Sequence, residues 1–357
     1  MRPRIFSRGC RQQGFVLAIT LWLLAGIAVA VGLMMLWARD QVARSEQMRG
    51  QVEDLIAMHE TRDTVLYLAA TREVTLAGLG IKPLQDDVRA MRKLDDFGSL
   101  TRDPLGGELR LDDAHYQGVR ATEFSLQDEA GLFPMVLPTP ASLDAFLRSQ
   151  GVDEKAIPHL RDTFLDYTDE DNLVRLNGAE ADDYRRAHRP GPANRRLLSP
   201  PELGRILGWD ELPPGQLTQI EASISPYYAG PANLNTAPAT LLPLWVEGCP
   251  DACDRMVQRR IQSPFRNGYE VQGALGTRLL GDGLVDYRYV AGDTLRVTLW
   301  GRTGPGQRFH VKLTPMADKK APWSILASYS IPRPQDDDPA HDTGSDLFSD
   351  KNRDSGQ

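Results

Sequence analysis

The sequence predicts an α+β protein: one long N-terminal helix, an antiparallel sheet, and a large α-helical domain inserted into that sheet. Three observations predict it. Residues 15–38 form an uncharged apolar run that ends only at Arg39. Residues 40–77 continue with apolar side chains at three-to-four spacing, the helical period. One strand-like stretch precedes residue 128 and three follow residue 286, with a mostly helical interval between them.

The apolar run holds 24 residues, which as a helix extend about 36 Å, enough to cross a bilayer with some tilt. Arg2, Arg4, Arg8 and Arg11 precede it with no acid among them, so its N-terminal side is expected to stay cytoplasmic. Trp37 stands at the far end, where an indole suits the interface. A secretory signal is cut after its apolar segment. Here the plausible cut, between Gly14 and Phe15, lies before it, so the run would stay in the mature protein. An uncleaved signal anchor is the plainer alternative.

Beyond the run, Met48, Val52, Leu55, Ile56 and His59, then Val65, Leu66 and Ala69, mark one face of an amphipathic helix. Gly78 and Gly80 end it at about Ala77, and Gly50 marks the place where two separate helices would break. Residues 81–111 are loop-rich, and TRDPLGG at 101–107 is strong turn chemistry. Residues 116–126 alternate as one strand, and 293–301, 308–315 and 323–329 read as three more. A sheet built from one strand before and three after makes residues 128–286 an insert with a second core. The tail from Arg333, rich in Asp, Pro, Gly and Ser, reads as disordered.

The net charge is −7, or −11 without the arginines of the leader, which argues against general nucleic-acid binding. Cys10 falls in the leader; Cys249 and Cys253 are a close pair that outside the cytosol reads as a disulfide, with two free thiols as the alternative. Closing so small a loop adds only about 2 kcal/mol in the chain-entropy model. The histidines are scattered, and no nucleophile elbow, phosphate loop or dinucleotide glycine pattern is present, so no enzyme is expected.

Acidic side chains crowd residues 164–186. Asp166, Asp169, Asp171 and Glu180, with Asn177, Asp182 and Asp183 nearby, supply the oxygen ligands that calcium takes in sixes to eights. Asp169, Asp171 and Glu180 stand at the first, third and twelfth places of an EF-hand-like loop. Leu173 and Val174 occupy its fifth and sixth places, where a ligand and a glycine belong, so this is no EF-hand. A solvated acidic surface is the alternative.

The basic leader, the Gly14–Phe15 junction and the retained apolar helix resemble the type IV pilins and pseudopilins. That resemblance implies cleavage by a prepilin peptidase between Gly14 and Phe15 and methylation of the new N-terminus at Phe15. Most of those families carry Glu as the fifth residue after the cut; here it is Ile19. The member lacking that Glu is protein K of the type II secretion system. FLDYTDEDNLVRLNGAEADDYRR at 164–186 and NLNTAPATLLPLW at 233–245 are similar to protein K as well. Residues 128–143 depart from it, having lost an Asn-x-Asn pattern after the Asp-Glu-x-Gly turn.

The Asn-x-Asn-Thr-Ala segment also opens helix-hairpin-helix units. Here the hairpin position, 247–253, has one glycine and two acids among its residues, a poor phosphate cradle. Arg255, Arg259, Arg260 and Arg266 then read as solvated charge, Asn233 and Asn235 as a capped turn, and Asn235 or Thr236 as satisfying the helix start with Pro238 in its first turn.

The resemblance implies a leader at 1–14, a membrane-spanning helix at 15–38 and its periplasmic continuation at 39–77. It implies a pseudopilin domain at 78–127 and 287–332, a SAM-like or helix-hairpin-helix-like helical insert at 128–286, and a tail at 333–357. It further implies structural calcium on Asp166, Asp169, Asp171 and Glu180. The expected role is a minor pseudopilin that nucleates and caps the pseudopilus tip, anchored in the inner membrane with its globular part in the periplasm. Expected partners are the I- and J-type minor pseudopilins, the major pseudopilin, the prepilin peptidase, the inner-membrane secretion platform and exported proteins, without nucleic acid. A minor pilin at the tip of a type IV pilus, serving adhesion or DNA uptake, is the alternative.

Overall fold

A computed structural model of the chain describes residues 15–86, 88, 92, 101–283, 285–315, 321–333 and 344–349. Gly14 and the rest of the leader lie outside the described residues, as does most of the tail. The chain divides into two compact units, Met1–Glu53 and Asp54–Gln357. In the first, the helix starts at Phe15, its side chains are exposed through Arg49, and it is long and apolar enough to cross a membrane. The helix is assigned as Phe15–Thr71, so Gly50 does not break it, and it stops six residues short of the expected Ala77. The reason for the early stop is a turn that brings Leu79 into paired contact with both Val74 and Leu109.

In the second unit the helix buries Asp54, Ala57, Met58, Thr61, Val65, Leu66, Leu68 and Ala69. The three-to-four spacing holds, and Val65, Leu66 and Ala69 lie on the buried face as expected, whereas before them Leu55, Ile56 and His59 are exposed and Asp54, Ala57, Met58 and Thr61 turn inwards. Polar contacts hold Asp54 and Thr61 there. The Asp54 carboxylate accepts from Arg302 Nε (3.1 Å), Thr303 N–H (2.9 Å) and the Thr303 hydroxyl (2.8 Å). Two turns later, buried Thr61 accepts from the Val119 N–H at 3.0 Å.

The strands, in chain order, are β1 (Asp112–Gln117), β2 (Glu123–Asp128), β3 (Phe133–Pro134), β4 (Ile224–Ser225), β5 (Ala232–Asn233), β6 (Tyr287–Arg288), β7 (Thr294–Trp300), β8 (Gly306–Leu313) and β9 (Trp323–Ile331). Five form an antiparallel sheet in the order β1-β2-β7-β8-β9. The single strand expected at 116–126 is a hairpin, because the chain reverses between Gly118 and Thr122, whose main chains bond at 2.6 Å. One sheet face, with Phe124, Leu126, Val297, Leu299, Phe309 and Val311, packs on Val65, Leu66 and Ala69 of the helix. Phe348 of the tail enters the same core, edge-on to Phe124 at 6.0 Å. The described part of the tail, 344–349, is therefore packed rather than disordered: burying a phenyl ring favours order over a solvated chain.

Between β2 and β7 lie two further hydrophobic clusters instead of one. The first gathers Phe146, Phe164, Tyr184 and Trp209, carried by helices Pro140–Ser149, Ile157–Thr168 and Ala181–Arg186 and the short turn Trp209–Glu211. The second gathers Leu234, Leu242, Met256, Phe265 and Val271, with helices Asp251–Gln262 and Gly268–Leu275. Two-residue parallel pairs, β3·β4 and β5·β6, brace the connections.

The exit and return of this interval meet at Asp128, the last residue of β2. Its buried carboxylate accepts from Ala130 N–H (3.2 Å), Gly292 N–H (3.0 Å), Asn233 Nδ2 (2.7 Å) and the Thr236 hydroxyl (3.0 Å). Asn235 reaches elsewhere, donating to the carbonyls of Phe265 and Tyr289 at 2.8 Å and accepting from Phe265 N–H at 3.0 Å. The expected capped turn forms on Asn233, whose Oδ1 accepts from the Asn235 N–H at 3.0 Å, but the side chains of Asn235 and Thr236 start no helix and instead tie distant segments together. The short helix Ala239–Leu244 starts behind Pro238 without a side-chain cap.

Gly131 sits against this knot, and an added Cβ would lie 2.7 Å from the Thr236 carbonyl. Gly131→Ala is therefore expected to cost about 1–3 kcal/mol of unfolding free energy, the usual range for overpacking. Gly204→Ala, whose Cβ would meet Leu217 at an ordinary 3.8 Å, is expected to stay within about 0.5 kcal/mol. Denaturant titration of both variants checks the pair, and equal effects would refute the close-packed knot.

Candidate cation site

Helix Ile157–Thr168 places Asp162 and Asp166 one turn apart, both buried, facing the loop that follows. Asp162 Oδ2 accepts from Asn177 N–H (3.2 Å) and Asn177 Nδ2 (3.0 Å). Asp166 accepts from the Arg175 N–H at 3.1 Å and pairs with the Arg175 guanidinium. Gly178 is needed for this closure, since an added Cβ would lie 1.9 Å from Asp166 Oδ2. The loop is thereby held from below while Leu173, Val174 and Leu176 point to solvent.

The closure draws acids together. One carboxylate oxygen each of Asp169, Asp171 and Glu180 lies within 4.8 Å of the others. Asp171 Oδ1 accepts from Leu173 N–H at 2.8 Å, and Asp169 Oδ2 pairs with Arg175 Nη1 at 2.6 Å. Asp169 Oδ1 and both Glu180 oxygens are buried without a hydrogen-bond partner. Burial, reinforced by the carboxylates of Asp166, Asp169 and Asp171, pushes Glu180 up to about 7. Orphaned buried oxygens among crowded carboxylates are the donor set a hard cation takes. Three of the four expected ligands therefore converge. The fourth, Asp166, is engaged by Arg175, a residue sequence reasoning passed over although it is the lone base between Asp169 and Glu180.

The other sequence candidates fall elsewhere. Gly14 lies outside the described residues, and Phe15 begins the helix. Cys249 and Cys253 are joined by a disulfide, with Cα atoms 5.1 Å apart. Of the arginines expected to be solvated, Arg260 is instead buried, donating to the carbonyls of Leu234 (3.0 Å) and Ala237 (2.7 Å). Arg255 donates to the Leu275 carbonyl, Arg259 to that of Ser263, and Arg266 pairs with Asp103 at 2.9 Å.

Glu180 fixes the sign of a pH test. Its folded value lies above the ordinary 4.5, so the metal-free fold gains stability as pH falls through 7 towards 4.5 and loses it above. Glu180→Gln is accordingly expected to raise the melting temperature at pH 8 in chelator, with the advantage gone at pH 4.5. A variant less stable than the parent at pH 8 would contradict the like-charge crowding.

No curated protein matches the chain. Among solved structures, a chain of the GspK–GspI–GspJ complex from the enterotoxigenic Escherichia coli type 2 secretion system is similar at 13% identity. The likeness covers 81% of this chain and 98% of that one, with a TM-score of 0.48. The family model described as type II secretion system (T2SS), protein K, matches residues 136–218, the span from β3 through the acid-lined loop to helix Pro214–Ser223.

Proposed function

We propose that this chain is a minor pseudopilin of a type II secretion machine, held in the inner membrane by residues 15–38 with its globular part in the periplasm. The observation that carries the reading is the match to the protein K family model at 136–218, set between β2 and β7 of a chain whose first helix is an apolar span. Its place is the tip of the pseudopilus, where it nucleates and caps the filament that drives export. Ile19 supports that place: a chain cut after Gly14 has no carboxylate at its fifth residue to meet the N-terminal ammonium of a subunit ahead of it. The bulk of the interval between β2 and β7 supports it too, since closely spaced helices along a shaft leave little room for such a mass. Leu55, Ile56 and Tyr67, exposed on the helix, offer apolar surface to the I- and J-type minor pseudopilins and the major pseudopilin. The prepilin peptidase, the inner-membrane platform and exported proteins complete the set of partners.

Calcium belongs to the same proposal. Asp169, Asp171 and Glu180 would hold it, with Asp166 joining if Arg175 releases it, and the cation would neutralise the crowded loop as a structural staple.

Cleavage is expected after Gly14, with Phe15 methylated. N-terminal mass analysis of the mature protein that finds another first residue would end that part of the proposal. Millimolar calcium is expected to raise the melting temperature of the native chain through binding to the folded state, and Asp171→Asn to blunt the gain. A melting curve indifferent to calcium and to chelator would reduce the acids to a solvated surface. Cysteine crosslinking along the assembled filament should find about one copy, next to minor partners; regular spacing down the shaft would overturn the tip assignment.

A further inference from the structure

The sheet face turned away from the long helix is polar yet buried. Ser125 and Gln127 of β2, Arg296 and Thr298 of β7, and His310 of β8 are each no more than 1% exposed. What covers them is the helical interval between β2 and β7. Glu129 receives His310 Nδ1–H. Tyr227 lays its ring over His310, with centroids 4.8 Å apart. The Ala222 carbonyl accepts from Arg296 Nη1 at 2.5 Å, and that of Thr236 accepts from Gln127 Nε2 at 3.0 Å.

His310 stands at the centre and works in one protonation state. Glu129, an acceptor, requires the proton on Nδ1, which leaves Nε2 to accept from the Tyr329 hydroxyl at 2.9 Å. Arg308 in turn donates to that hydroxyl. The donors therefore run one way, Arg308 to Tyr329 to His310 to Glu129. A proton on Nε2 would force the Tyr329 hydroxyl to turn its own proton away and would put a third cation beside Arg308 and Arg296. We infer that His310 is a proton-sensitive latch: the helical interval docks on the polar face of the sheet while His310 is neutral and releases from it in acid.

Burial, with Arg296 and Arg308 adding to it, holds His310 below its ordinary 6.5 despite the opposing pull of Glu129. A histidine lowered in the docked state carries fewer protons there than when released, so docking weakens as pH falls through 6.5. Asp113 of β1, which pairs with Arg296 at 2.9 Å, is held below its ordinary 3.8 by Arg296 and Arg308 although burial opposes this, and it matters only in stronger acid. Glu221, on the covering helix, is raised by burial and acts in the opposite sense, gaining from protonation. Burial raises Tyr227 and Tyr329, which stay neutral throughout. Among these groups His310 alone turns towards release near pH 6.

Hydrogen exchange of the full chain in detergent micelles, at pH 7.5 and pH 5 with rates corrected for intrinsic pH dependence, tests the latch. Main-chain amides of 127–131, 222–228 and 306–313 are expected to exchange at least about ten-fold faster at pH 5, while helix Ile157–Thr168 stays protected. His310→Gln, which keeps a donor and an acceptor without titrating, should abolish the acceleration. If that variant does not fold, Glu129→Gln should move the onset to lower pH by removing the anion that favours imidazolium. No acceleration in the native chain, acceleration unchanged in both variants, or loss of protection in helix Ile157–Thr168 at the same pH would each overturn the proposal.

Discussion

The fold depends on a buried carboxylate. Asp128 ends β2, and at that point the chain leaves the sheet for more than 160 residues before β7 lies down beside β2. Such a long excursion carries a large closure entropy, and strand pairing alone does not say where the returning chain should sit. Asp128 settles the place by accepting from both sides of the gap: Ala130 as the chain departs, Asn233 and Thr236 midway, Gly292 on return. Burial pushes its carboxyl upward even with those donors in place. Four hydrogen bonds to one buried carboxyl are the condition under which such a group is tolerated at all. Gly131, crowded against Thr236, is the steric counterpart of the same knot.

The two faces of the sheet then divide the labour. Towards the long helix the contacts are apolar and non-directional, so Val65, Leu66, Phe124, Val297 and Val311 can repack over small shifts. Towards the helical interval they are polar and directional: Glu129 with His310, and Arg296, itself paired with Asp113 of β1, with the Ala222 carbonyl. Buried ion pairs add little net stability against well-packed apolar groups, because desolvation offsets most of the attraction. Their consequence here is orientation, since each accepts only one geometry.

The acid-lined loop follows the same logic on a smaller scale. Asp162 and Asp166, one turn apart on a helix, hold Asn177 and Arg175, and this brings Asp169, Asp171 and Glu180 within reach of a single ion. Arg175 pairs with Asp166 and Asp169, while burial and the neighbouring carboxylates oppose the ionisation of Glu180. Leu173, Val174 and Leu176 remain outside, while Ala179 and Glu180 are buried.

Local information in the sequence was enough for the elements that depend on it. The apolar run beginning at Phe15, the strands near 294–300, 306–313 and 323–331, the helical interval between them and the acids around Asp169 all follow from composition and period. Only the tertiary structure decided the rest, because it rests on partners far along the chain. Before Val65 the helix buries Asp54 and Thr61 in place of Leu55 and Ile56, because Asp54 finds Arg302 and Thr303. The side chains of Asn235 and Thr236 clamp distant segments where a helix start was expected, since Phe265, Tyr289 and Asp128 offer them partners in the folded chain. Arg175 takes Asp166 out of the acid set, and Phe348 brings part of an acidic tail into the core. A hydrophobic period records which side chains leave water, but a buried polar group chooses its partner by geometry, and that geometry exists only once the chain is folded.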